Sequence, residues 1–361
     1  MSKKTTHYRY NQDNYTALEA ITEAQKLAFA PILFQNTLIL RDSGILALLD
    51  KAGKTGCSLE QITQKIDLSE YAIQLLLDVG LSSHIIYQTE DNYILGKIGY
   101  FLLHDTMTKI NMDFTNNVCY QGITRLKESF MQNKPAGLSI FSNTETIYPI
   151  LSKLPQKAKS SWFNFDHFYS NAAFKQALQC IKKLHPTHLY DLGGNTGKWA
   201  IYCANQIPNL KVTILDLPEQ TTLAKENIKL DNLTDRIDTY DINFLKAQKL
   251  PNQADVWWMS QFLDCFSPPQ IIHLLKLINQ HMKPNAKICI LDNFWDRQAY
   301  EASALSLNAT SLYFSAMANG NSRFYHSIHF IKYLQQAGFM IEQIIDNLGI
   351  CSTLIICKKQ Q

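Results

Sequence analysis

The chain has 361 residues, 46% of them apolar, which suits two hydrophobic cores better than one. Lys and Arg number 34 against 31 Asp and Glu, a formal net charge of +3, and the basic residues are scattered, which argues against the electrostatic footprint of a nucleic-acid binder. The eight cysteines (Cys57, Cys119, Cys180, Cys203, Cys265, Cys289, Cys351, Cys357) form no CxxC pair and sit mostly in apolar runs, so free buried thiols are expected, with no disulfide and no metal. The polar start Met1–His7 and the lack of an 18-residue apolar run predict a soluble cytoplasmic protein with no membrane partner.

From Tyr15 to about Asp50 apolar residues recur at helical spacing (Ala17, Leu18, Ile21, Ala24, Leu27, Ala28, then Leu38, Leu40, Ile45, Leu46, Leu48, Leu49). Ser58 and Gln61 stand at capping-box spacing before a short helix ending near Ile66. Ser69 opens a second helix, Tyr71 to Val79, which Gly80 should close. Ile85–Tyr87 and Tyr93–Leu95 then flank a polar turn. Helix, turn, helix and hairpin predict a winged helix. Its second helix has no Lys or Arg between Ser69 and Val79 and carries Glu70 and Asp78, so it lacks the groups that reach phosphates and base edges. Burial against a second subunit suits it better, and a homodimer is expected.

Residues 104 to 180 read as helical around a Pro135–Gly137 loop, with an aromatic cluster at Trp162, Phe163, Phe165, Phe168 and Tyr169 that serves either core packing or an apolar pocket wall. After His188 short apolar strands alternate with helices: Leu189–Tyr190, Val212–Leu215, Asp255–Met259 and Ile288–Leu291. That alternation predicts a parallel sheet covered on both faces, an α/β Rossmann-like domain. Met340–Ile345 and Ser352–Ile356 add two antiparallel strands. The expected division is a winged-helix domain at 1–105, a helical connector contributing to the substrate pocket at 106–180, and the Rossmann-like domain at 181–361.

Two features together mark a nucleoside site: a glycine-rich turn leaving the first strand and an acid ending the second. The turn reads Asp191-Leu192-Gly193-Gly194-Asn195-Thr196-Gly197, and Asp216 follows, placed for ribose hydroxyls. An acid at the first position would repel a pyrophosphate but suits a cation, such as an ammonium or sulfonium. A nicotinamide-dependent dehydrogenase is therefore the last-ranked reading.

The chain resembles the two-domain, S-adenosylmethionine-dependent O-methyltransferases typified by plant caffeic acid and bacterial hydroxyneurosporene and polyketide enzymes. The motifs are Asp191 to Gly197, Asp216-Leu217-Pro218, Asp235-Arg236-Ile237, Leu263-Asp264-Cys265-Phe266-Ser267 and Ala337-Gly338-Phe339. The resemblance implies a class I methyltransferase domain behind a winged-helix dimerisation domain. It also implies S-adenosylmethionine as cofactor, held by Asp191, Gly193, Gly194, Gly197, Asp216, Leu217, Asp241, Asn243, Phe244 and Ser260. The acceptor is expected to be a hydroxyl of a small aromatic, polyene or polyketide-type molecule, in a pocket drawing on Met112, Phe114, Tyr120, Phe168, Leu312, Phe314 and Met317.

The sequence departs from the family in two places. Asn243 replaces the acid expected beside adenine, although its amide can still bond the base edge and Asp241 stands nearby. Asp264 stands where the family has the histidine base. A carboxylate near ~4 matches poorly with a phenol near ~10, unless burial raises it or the acceptor hydroxyl is unusually acidic. Asp292 corresponds to one acid that flanks the base, and His326 is the alternative base, with Asp264 orienting it. The missing histidine keeps N- or C-methyl transfer, or a relative that binds the cofactor without methylating, as alternatives. A cofactor-sensing DNA-binding regulator is disfavoured by the acidic second helix.

Overall fold

The computed structural model describes residues 10–360, so the polar residues Met1–Arg9 and the terminal Gln361 lie outside the described structure. The chain divides into two compact units at Thr115/Asn116. The stretch expected as a connector is thus shared: its first ten residues, with the helix Thr106–Phe114, fold with the N-terminal unit, and the rest folds with the C-terminal one.

In the first unit three helices, Ala17–Ala28, Ala30–Asp42 and Ile45–Ala52, lead into strand β1 (Cys57–Ser58). The helix Leu59–Thr63 starts from the expected capping box, with Gln61 N donating to Ser58 Oγ at 3.3 Å and Ser58 N to Gln61 Oε1 at 3.0 Å. It stops at Thr63, short of Ile66. The helix Glu70–Ser82 is capped by Ser69 but runs through Gly80 rather than ending there. A Cβ on Gly80 would lie 3.2 Å from Ile86 Cδ1, so this glycine permits close packing instead of a turn. Strands β2 (Ile86–Thr89) and β3 (Asn92–Leu95) form the hairpin, and β1 pairs on the far side of β3. Leu40, Ile45, Leu46, Leu49, Ile62, Ile73 and Leu77 are fully buried beneath them. The helix Ala17–Ala28 buries none of its residues and exposes Leu18, Ile21 and Leu27.

The second unit begins with helical segments, among them Gln156–Asn171 and Phe174–Lys182. It then builds a seven-stranded sheet from β4 (His188–Leu192), β5 (Lys211–Asp216), β6 (Ile237–Asp241), β7 (Val256–Ser260), β8 (Lys287–Asp292), β9 (Phe339–Leu348) and β10 (Ser352–Lys359). The order is β6-β5-β4-β7-β8-β10-β9, with β4 to β8 parallel and β10 antiparallel to both neighbours. Alternate residues serve opposite faces: Leu192, Leu215, Trp257, Met259 and Ile290 pack into one core, Leu189, Ile214, Val256, Trp258 and Leu291 into the other. Strand β6 has no apolar run, because at the sheet edge only Ile237 of its five residues is buried. All eight cysteines are free. Among the described residues no single helix is long and apolar enough to cross a membrane.

Candidate cofactor and acceptor site

The chain leaves β4 toward β5 on one side and returns to β7 on the other, so a crevice opens at the C-terminal ends of β4, β5 and β7. The glycine turn occupies it. Gly193 has φ +70° and donates its N–H to Leu215 O at 2.9 Å, which ties the turn to β5. A Cβ there would lie 2.4 Å from Phe262 Cδ2, and one on Gly194 2.7 Å from Asp191 Oδ2. Gly193 would be strained for any side chain by its φ as well as by the Phe262 ring, and a Cβ on Gly194 would have to displace Asp191 or Ile214. Gly197, at φ +82°, starts the helix Lys198–Gln206.

Asp216 ends β5 and accepts the Asn195 N–H at 2.8 Å and the Leu217 N–H at 2.7 Å, one on each carboxylate oxygen. Each oxygen keeps a second lone pair for a ligand hydroxyl. Asp191, 2% exposed, has an Oδ2 with no hydrogen-bond partner. Burial, with the nearby Asp216 charge adding, pushes its carboxyl up to about 8. An uncompensated buried acid of this kind calls for a cationic or hydrogen-bond-donating ligand group. Ser260 Oγ, at the end of β7, is also buried without a partner.

Other expected cofactor residues have partners of their own. Asp241 lies level with Asp216 on the neighbouring strand and accepts from Thr221 Oγ1 at 2.6 Å. Asn243 is exposed, and its Oδ1 accepts the Leu245 N–H at 3.0 Å, so its side chain caps its own turn. Phe244 is buried edge-on against Phe262, with ring centroids 5.0 Å apart, and thereby backs the ring that covers Gly193.

Beyond β7 a short turn, Leu263–Cys265, carries Asp264 into the interior at 3% exposure. Asp292, 2% exposed at the end of β8, accepts its neighbour Asn293's N–H at 2.7 Å. Burial pushes Asp264 well above the carboxylate range, and the Asp292 charge adds to it. Burial raises Asp292 to about 7. Two buried acids close enough to repel each other cannot both ionise cheaply, so both hold their protons to higher pH than a free carboxyl does.

The structure does not bring His326 to Asp264. It stands half-buried as the N-terminal cap of the helix Ser327–Gln336, with Nδ1 accepting the Ile328 N–H at 3.2 Å and lying 3.3 Å from Asp296 Oδ2. Asp296, which the sequence reading passed over, also holds Ser327 through its N–H and hydroxyl.

A small cleft in the second unit is lined by the apolar Phe165, Tyr169, Leu307 and Phe324 and the polar Gln261, Asn293, Ser306 and Thr310. None of the seven expected residues lines it. Met112 and Phe114 are buried in the first unit, where Met112 Sδ is 4.0 Å from Arg41 Nη1. Leu312 is 41% exposed, Met317 packs in the interior against Gly122, and Phe314 backs the wall residue Phe324. Tyr120 and Phe168 are half-buried, Phe168 edge-on to Tyr169.

Sequence reasoning missed Asp166, His167 and Lys198, which form a cluster beside the glycine turn. Asn195 Nδ2 lies 3.4 Å from Asp166 Oδ2, and Lys198 Nζ bonds His167 Nδ1 at 2.8 Å. Burial raises Asp166 to about 6 and lowers His167 to about 4. Gln261 and Asn293, which directly follow β7 and β8, also lie at the end of the sheet where such folds usually contact ligands.

Two family models match the chain, an O-methyltransferase domain over residues 121–340 and a Dimerisation2-like domain over residues 22–93. Human acetylserotonin O-methyltransferase is 28% identical over 149 residues, so the chain spans about two fifths of that relative's length, 41% of each chain. O-methyltransferase 7 of Dictyostelium discoideum is 23% identical over 322 residues, 89% of this chain and 90% of the relative. Mitomycin 7-O-methyltransferase has the same fold, with a TM-score of 0.71 at 16% identity over 96% of this chain and 100% of that one. The chain therefore belongs to the O-methyltransferase family, as a dimerisation domain followed by a Rossmann-like class I methyltransferase domain.

Proposed function

We propose that the protein is an S-adenosylmethionine-dependent O-methyltransferase acting on a hydroxyl of a small aromatic, polyene or polyketide-type molecule. The observation that carries the reading is Asp191, a buried acid with a free oxygen under the glycine turn. Asp191 would face the cofactor's ammonium, and the N-terminus of the helix Lys198–Gln206 its carboxylate. Asp216 would hold the ribose, with Phe244 and Phe262 forming the apolar side of the site. Bound there, S-adenosylmethionine supplies an activated methyl group on sulfur. The chain's own task is to position the acceptor oxygen, exclude water and accept one proton.

Asp264 and Asp292 are the residues we assign to that proton. Burial and their mutual repulsion raise both carboxyls, which makes either of them, once ionised, a stronger base than a free carboxylate. The eight unpaired cysteines support a reducing, cytoplasmic setting. The exposed Leu18, Ile21 and Leu27 beside a dimerisation domain support a homodimer.

Incubation with methyl-labelled S-adenosylmethionine and a panel of phenols, enols and amines tests the reading. Label recovered on oxygen is expected. Label found only on nitrogen or carbon would overturn the acceptor assignment, and no transfer to any compound would overturn the activity.

A further inference from the structure

Asp166 belongs to the helix Gln156–Asn171, outside the sheet, yet it borders both ends of the site. Its Oδ2 lies 3.4 Å from Asn195 Nδ2 in the glycine turn. Its charge also adds to the burial and the Asp292 charge that push Asp264 upward, which sets it close to the acid pair as well. The turn is assigned to the amino-acid end of the cofactor and Asp264 to the acceptor's proton. The cofactor's sulfur, which carries the methyl group between them, therefore has to lie in the span that Asp166 borders.

That span is rich in acceptors. Asn195 Oδ1 and Asp191 Oδ2 are both buried with no hydrogen-bond partner, and Asp191 is only 2% exposed. Lys198, the nearby cation, bonds through Nζ to His167 Nδ1 at 2.8 Å, and burial, with the Lys198 charge adding, lowers His167 to about 4, so the imidazole is neutral. Burial raises Asp166 to about 6 even though Lys198 and the Asn195 amide both act to lower it. An acid at about 6 is mostly ionised at neutral pH, and its charge is incompletely compensated. Such a span favours a ligand group that brings positive charge over a neutral or anionic one.

We propose that Asp166 is the counter-ion of the cofactor's sulfonium, the residue by which the chain holds the charged methyl donor more tightly than the neutral thioether product. The proposal rests on the S-adenosylmethionine reading and deepens it. As the methyl group passes to the acceptor oxygen, the electron pair of the broken carbon–sulfur bond stays on sulfur and cancels its charge, while the acceptor's proton goes to the acid pair. Asp166 then loses its counter-ion, and the hold on the product weakens.

Calorimetric titration of the full chain at neutral pH with sinefungin, in which an amine-bearing carbon replaces the methylsulfonium, and with S-adenosylhomocysteine tests this. Sinefungin is expected to bind at least tenfold more tightly. Asp166→Asn, which keeps the shape and removes the charge, should shrink that preference to threefold or less while S-adenosylhomocysteine stays within twofold. Asp166→Ala should do the same, and thermal unfolding shows that each variant is folded. Equal affinities in the unaltered chain, or a preference that survives both substitutions, would overturn the proposal. Equal weakening of the two ligands would overturn it too, because Asp166 would then serve the amino-acid end or the fold. Binding of neither ligand by the unaltered chain would overturn the S-adenosylmethionine reading itself, and the proposal with it.

Discussion

His326 Nδ1 lies 3.3 Å from Asp296 Oδ2 and accepts the Ile328 N–H at 3.2 Å, so this histidine caps a helix instead of serving Asp264. His326→Ala should therefore cost stability, about 1 kcal/mol as for other lost N-caps, seen as a lower Tm. Methyl transfer should stay within about threefold of the unaltered protein. A loss of a hundredfold or more at unchanged Tm would restore His326 as the base.

With Asp264 and Asp292 proposed as the proton acceptor, removing either should impair methyl transfer. Asp264→Asn and Asp292→Asn are each expected to lower kcat by about 10²–10⁴ toward a weakly acidic phenol, the usual range for a general base. A hydroxyl that is already ionised should lose much less. Equal losses for both acceptor types would mean that the pair has a positioning role only.

The glycine turn should be intolerant of any side chain. Gly193→Ala would set a Cβ 2.4 Å from Phe262 Cδ2 at φ +70°, and a cost of about 1–3 kcal/mol follows from strain and overpacking. Thermal unfolding and S-adenosylhomocysteine titration should both register it. An unchanged Tm with unchanged affinity would mean that Phe262 is free to move aside.

Much of this was legible in the sequence, and the boundary of what was legible has physical causes. Strands β4, β5, β7 and β8 are buried on both faces and so appear as apolar runs, whereas the edge strand β6 keeps one buried residue and was invisible. Gly80 signals a helix end by propensity, but packing against Ile86 overrides it. Asp191, Gly193, Gly194 and Asp216 were readable because they are local in sequence to a turn and a strand end. The cleft in the second unit was not, since Phe165, Gln261, Asn293 and Phe324 come from four distant segments that only the fold brings together.

Stability without ligand should fall as pH rises. Asp191 at about 8, Asp292 at about 7 and Asp166 and Asp216 at about 6 all lie above the unfolded value near ~4, so the folded state holds more protons than the unfolded one. That contribution is complete below pH ~4 and is lost as pH rises through each folded value. His167, lowered to about 4, opposes it only below its unfolded value near ~6.5. Between pH ~6.5 and ~8.5 Tm should therefore fall, and Asp191→Asn should flatten the slope. A Tm that climbs across this window would contradict the buried-acid description.

Asp191 and the glycine turn would hold the ammonium-bearing end of an S-adenosyl ligand. Isothermal titration of S-adenosylhomocysteine into the unaltered protein and into Asp191→Asn, with NADH as the comparison, measures it directly. One S-adenosylhomocysteine per chain is expected, weakened at least tenfold by Asp191→Asn, with no heat from NADH. Binding of NADH in preference to S-adenosylhomocysteine, or an affinity indifferent to Asp191→Asn, would contradict it.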